Sequence, residues 1–141
     1  WNLLGSAYYT KGEFALSAEA YGKAAEIKPG DGDVQKNLGL ALAELGETEK
    51  SEAALKKSFA LDGNADTAFF LGKLCYNAGR YEEALSYLKR APDAPEVIEA
   101  TAQCFYQLDM LDALRTLTET TAFARLPAET RELIVRSLAE G

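Results

Sequence analysis

Histidine is absent from this sequence, which removes the usual neutral-pH proton relay and the commonest metal ligand. The two cysteines, Cys75 and Cys104, form no C-x-x-C motif and have no histidine with which to share a metal. Within helices they read as small apolar fillers, with a disulfide as the alternative. Thiols of that kind suit a reducing, cytoplasmic setting. No run of about 18 apolar residues occurs, so no membrane-spanning helix is expected. No charged segment precedes an apolar block, so no secretory signal is visible. An initiator methionine is missing too. The chain starts on Trp1 and is expected to be a fragment or processed form.

Basic residues are in deficit, 15 Lys and Arg against 22 Asp and Glu, for a net charge of −7. That balance argues against nucleic acid, which rewards clustered cations, and suits a neutral or basic partner. No G-x-x-x-x-G-K-[ST] loop is present to cradle a phosphate. β-Branched residues are few, and no strand-length alternation stands out. What remains is 48% hydrophobic and 26% charged over 141 residues, enough for one soluble globular domain with a substantial core.

What the chain does have is a recurring frame of two glycines seven residues apart. It reads LGSAYYTKG at 4–12, LGLALAELG at 38–46 and LGKLCYNAG at 71–79, its starts 34 and then 33 residues apart. Apolar residues around it follow helical spacing: Leu38, Ala41, Leu42 and Leu45 in one segment, Tyr81, Ala84, Leu85, Leu88 and Ala91 in another. The later glycines, Gly12, Gly46 and Gly79, separate two amphipathic stretches, where a helix stops and the chain reverses. The earlier ones, Gly5, Gly39 and Gly72, fall inside a helix, where glycine costs about 1 kcal/mol against alanine. Close approach of a neighbouring helix is the expected compensation.

These residues resemble the tetratricopeptide repeat family, with its 34-residue helix–turn–helix units. In the first unit Trp1, Leu4, Gly5, Tyr8, Gly12, Phe14, Tyr21, Ala24 and Pro29 match the pattern, with Ser17 where alanine is preferred. The second keeps Leu38, Gly39, Leu42, Gly46, Ser51, Leu55, Ser58 and Leu61, with Gln35 in the Trp place and Gly63 in the Pro place. The third keeps Leu71, Gly72, Cys75, Gly79, Tyr81, Ala84, Leu88 and Ala91. A degenerate fourth places Ala100, Thr101, Cys104, Leu108, Met110, Ala113 and Leu117 in the slots, with both glycines lost. A last helix puts Leu133 in the Leu slot and Gly141 in the turn slot, which makes it a candidate half of a fifth unit.

The resemblance implies an all-α tetratricopeptide-type α-solenoid, a right-handed superhelix of antiparallel helix pairs. The units lie at about 1–31, 32–64, 65–94 and 95–125, with a terminal helix at about 127–140 that caps the stack. Pro92 follows Ala91 several residues before a unit-closing proline is due. The second helix of the third unit should therefore end early, at Arg90 or Ala91. Asp93-Ala94-Pro95 then form a tight link, with a change in superhelical rise or angle beyond it. Asp62-x-Asn64-x-Asp66 imitates the opening of a calcium loop, but Thr67 and Lys73 stand where glycine and glutamate are required. Asp66 reads instead as a helix N-cap.

No catalytic residue, metal or cofactor is expected; acidic pairs such as Glu82-Glu83 read as solvated helix faces. The family's concave face carries over to Asn2, Ser6 and Tyr9 in the first unit and Lys36, Asn37, Leu40 and Glu44 in the second. Phe69, Phe70, Lys73, Tyr76 and Asn77 follow in the third, then Glu99, Ala102, Phe105 and Tyr106 in the fourth. Tyr9, Tyr76 and Phe105 occupy a slot where a family aromatic often packs partly. Phe70 and Tyr106 are the better candidates for ligand contact. The family's Lys–Asn–Arg clamp for acidic chaperone tails is absent: only Asn37 matches, while Asn2, Ser6, Asp66 and Phe70 hold its other places. The resemblance implies a protein–protein interaction scaffold that holds an extended or helical peptide with apolar anchors and a basic flank. Two alternatives are a substrate-specific chaperone of the small acidic secretion-chaperone kind and the adaptor domain of a larger enzyme. Circular dichroism should show a predominantly helical protein without appreciable β signal.

Overall fold

Four reversals of the same backbone geometry organise the chain. In the computed structural model, which describes residues 1–140, Gly12, Gly46 and Gly79 have φ of 79°, 78° and 79°. Each closes a helix in one way. The Gly12 amide donates to the Tyr9 carbonyl and the Glu13 amide to that of Tyr8, at 3.0 and 2.9 Å. Gly46 and Glu47 do the same to Ala43 and Leu42, and Gly79 and Arg80 to Tyr76 and Cys75. Such a closure satisfies helix-end carbonyls at the cost of one left-handed residue, which glycine adopts without strain.

The helices so separated are α1 (Asn2–Thr10), α2 (Phe14–Ile27), α3 (Gly32–Glu44), α4 (Thr48–Asp62), α5 (Ala65–Asn77) and α6 (Tyr81–Leu88). They continue as α7 (Pro95–Gln107), α8 (Leu111–Thr118), α9 (Thr121–Ala124) and α10 (Ala128–Glu140). No strand is present among the described residues. Local signals start several of them. The Asp31 carboxylate accepts from the amides of Asp33 and Val34 at 3.0 and 3.3 Å, capping α3. Pro95 opens α7, where its missing N–H costs nothing.

The chain forms two compact units, Trp1–Leu71 and the residues from Gly72 on. In the first, α1 packs on α2, α2 on α3 and α3 on α4. The mid-helix glycines sit where helices meet. A Cβ at Gly5 would lie 2.8 Å from the Tyr21 ring, and one at Gly39 would lie 2.7 Å from Leu55 Cγ. Tyr21 and Leu55 are buried. At that closeness the Ser17 hydroxyl donates to the Gly5 carbonyl at 2.8 Å, and Ser51 to that of Gly39 at 2.6 Å. Serine thus replaces the family's preferred alanine without leaving a buried hydroxyl unpaired. In the second unit a Cβ at Gly72 would lie 2.9 Å from Leu88. Here α7 packs on α6, α8 and α9, and α10 rests on α7 and α8.

Several details differ from the sequence reading. α6 ends at Leu88, short of Arg90 or Ala91. After Lys89 N–H bonds to Leu85, the amides of Arg90 and Ala91 bond three residues back, to Tyr87 and Leu88. Pro92 lacks an N–H, and in a helix its ring would strike the Leu88 carbonyl, so the last turn tightens instead of continuing. Asn64, not Asp66, caps α5: its side chain accepts from the Asp66 amide at 2.8 Å, while Asp62 accepts from the Asn64 amide at 2.9 Å. Asp66 lies in the first turn.

The fourth pair is shifted by one residue from the expected slots. Its helices, 95–107 and 111–118, repeat 65–77 and 81–88 with an offset of 30. The turn residue is Asp109, not Leu108, and its φ of 56° makes it the sole non-glycine residue with positive φ among those described. Aspartate tolerates this conformation better than most side chains. Ala102, 2% exposed, takes the place of Gly72; Phe105 takes that of Cys75, and Tyr106 that of Tyr76. The short α9 was not foreseen. Thr120 caps it by accepting from the Phe123 amide at 3.1 Å, and it buries Phe123. Gly141, expected in a turn slot, lies outside the described residues.

Gly39 and Gly22 give a controlled comparison. Gly22 lies within α2, and nothing stands within 4 Å of a Cβ there. Gly22→Ala should raise stability by up to about 1 kcal/mol. Gly39→Ala should lower it by about 1–3 kcal/mol despite the same propensity gain, because the buried Leu55 must shift. Equilibrium urea unfolding measures both.

Candidate functional site

Each unit presents its own set of the expected partner-facing residues. In the first, Asn2 and Ser6 are exposed on α1, and Lys36, Asn37 and Leu40 are half-buried on α3. Tyr9 is half-buried, its ring edge-on to Phe14 across the turn at 5.2 Å and 69°. Glu44 of α3 stands beside the Tyr9 phenol. Burial raises the Tyr9 pKa above the ordinary tyrosine value, and the negative charge of the nearby Glu44 carboxylate raises it further. Phe69 and Phe70 are half-buried, with ring centroids 5.9 Å apart. As consecutive helical residues they point about 100° apart, so they serve different faces of α5.

In the second unit Lys73 and Asn77 are exposed. Tyr76 meets Tyr81 edge-on at 5.3 Å and 61°, the same pairing across the turn that Tyr9 makes with Phe14. Tyr106, in the equivalent place, is followed by Leu111 instead of an aromatic and stays 47% exposed. Phe105 is half-buried.

A cleft of ≈ 190 Å³ opens between α7, α8 and α10. Tyr76, Tyr106 and Leu114 line it, with Leu133 and Ile134 of α10. Polar groups come from Glu99, Gln103, Gln107, Thr130 and Ser137. It gathers Tyr76, Glu99, Ala102 and Tyr106 from the expected set, and leaves out Lys73, Asn77 and Phe105. Gln103 and Gln107 escaped the sequence reading because its fourth-unit frame was one residue early. In the observed register they repeat Lys73 and Asn77. Leu133, which holds the Leu slot of the last helix, is 61% exposed instead of packed.

Chemically this is an amphipathic slot of apolar walls and amide groups. The Cys104 thiol is buried. Burial, with the neighbouring Cys75, pushes its pKa up to about 11.

Family models described as tetratricopeptide repeat match residues 1–31 and 36–98. The chain is a tetratricopeptide repeat protein. No curated protein sequence matches it. Among solved structures it is similar to MamA, with 18% identity and a TM-score of 0.75 over 97% of this chain and 91% of that one. A further MamA structure, labelled MSR-1, gives 22% and 0.67 over 97% and 72%. PilF of Pseudomonas aeruginosa gives 21% and 0.70 over 99% and 73%. At these identities the likeness establishes the fold, the expected all-α tetratricopeptide class. Tetratricopeptide repeats are in general protein–protein interaction scaffolds rather than catalysts. No described helix of this repeat protein is long and apolar enough to cross a membrane.

The phenol of Tyr9 offers a direct check on its neighbourhood. Glu44→Gln should lower the Tyr9 pKa towards 10.0, its ordinary value, read by carbon NMR of labelled tyrosine. Because the folded value is raised, the neutral phenol contributes stability below the ordinary value. That contribution is lost as pH climbs through the folded value.

Proposed function

We infer that this repeat protein binds a peptide or helix of a partner protein through the inner faces of its helix pairs and has no catalytic activity of its own. The cleft lined by Tyr76, Tyr106, Leu133 and Ile134 carries the reading. Aromatic and branched walls flanked by glutamine amides can bury an apolar anchor and hydrogen-bond the adjoining main chain. Glu99 at the same cleft, in a chain of net charge −7, favours a basic flank on the ligand. In the first unit Tyr9, Lys36, Asn37, Phe69 and Phe70 remain separate candidates, and in the second Lys73, Asn77 and Phe105 lie outside the cleft. A reducing, cytoplasmic setting belongs to the same reading and suits the buried thiols of Cys75 and Cys104.

Affinity capture followed by mass spectrometry identifies the partner, and calorimetry then tests the site. Tyr106→Ala should weaken binding about tenfold or more, as expected of an aromatic anchor, and leave the melting temperature within a few degrees. A large fall in stability with unchanged affinity would assign Tyr106 to the core instead.

A further inference from the structure

The second face of α10 leads beyond that cleft. Ala128, Arg131, Glu132, Val135 and Arg136 form with Phe123 of α9 a separate cleft of ≈ 570 Å³. Their spacing is that of one helical stripe. Phe123 forms an apolar floor at 6% exposure, while Val135 is 51% exposed. No described residue of α10 is buried, and among the described residues no helix covers this stripe. The charge of the cleft lining is unbalanced. Arg131 Nε is buried and has no hydrogen-bond partner, a condition that native polar atoms rarely keep. Among the described residues neither Arg131 nor Arg136 forms an ion pair. Two guanidiniums face one carboxylate, Glu132, in a chain that is otherwise strongly acidic.

We propose that this cleft docks an amphipathic acidic helix of a partner protein. Its apolar side chains cover Val135, and its carboxylates accept from the outer guanidinium N–H groups of Arg131 and Arg136. The stripe follows α10 with helical period, which suits ridge-into-groove packing by another helix. Arginine's planar fork selects carboxylates over neutral amides. This occupant differs in charge from the ligand inferred for the Tyr106 cleft, so the two sites separate experimentally.

The test uses the whole chain and two labelled synthetic helices that share a leucine stripe, one flanked by glutamates and the other by glutamines. Fluorescence anisotropy should show the glutamate helix binding about tenfold tighter and weakening with added salt. Arg131→Gln with Arg136→Gln should erase that preference, Arg131→Lys should restore only part of it, and Tyr106→Ala should leave it unchanged. Equal affinity for both helices, failure of the glutamate helix to bind, or loss of binding in Tyr106→Ala overturns the proposal. So does sedimentation showing that the unmodified chain self-associates and that the double variant does not, since the occupant is then a second copy.

Discussion

In each of the first three helix pairs a glycine meets the side chain sixteen residues further on: Gly5 with Tyr21, Gly39 with Leu55, Gly72 with Leu88. A methyl group at any of these positions would stand within 3 Å of its partner, closer than packed carbons come. The missing Cβ therefore sets how near the two helices lie. Once they are that near, Ser17 and Ser51 reach the glycine carbonyls, and alanines such as Ala20, Ala41 and Ala84 suffice to fill the seam. The core is built largely of small residues for this reason. In the fourth pair the buried Ala102 replaces the glycine.

The surface chemistry follows from what the same repeat position holds in each pair. Where two aromatics flank the turn, as in Tyr9–Phe14 and Tyr76–Tyr81, the rings pack edge-on and each stabilises the other's placement. Ala43 and Thr48 leave the second pair without such a contact. Tyr106 has Leu111 in the place of that second aromatic and is exposed at the cleft. One slot thus serves as local packing in two pairs and as candidate recognition surface in another. Glu44 adds a different role in the first unit: its carboxylate charge beside the Tyr9 phenol disfavours the phenolate.

α10 relates differently to its surroundings. It contributes Leu133 and Ile134 to one cleft and Arg131 and Val135 to another, and none of its described residues is fully buried. A helix held along two partial faces has fewer apolar contacts to lose than one inside the stack. Such segments belong to the lower end of a protein's local stability range. A partner helix laid on the arginine-bearing stripe would order it further.

Helical content, glycine reversals and the early stop of α6 were legible in the sequence because each is a constraint of the backbone over a few residues. Gly12, Gly46 and Gly79 announce left-handed turns, and Pro92 forbids a continuing helix, whatever packs around them. The glycine frame also implied close helix contact, since nothing local justifies glycine at that place. The fourth pair was beyond such reasoning: with its glycines gone, Asp109 accepts the left-handed turn, and only the packing of Ala102 and Leu114 sets the register. The clefts, the exposure of Tyr106 and Leu133, and the unpaired Arg131 Nε likewise belong to the tertiary structure. They arise from which side chains distant segments leave uncovered, and no short-range rule determines that.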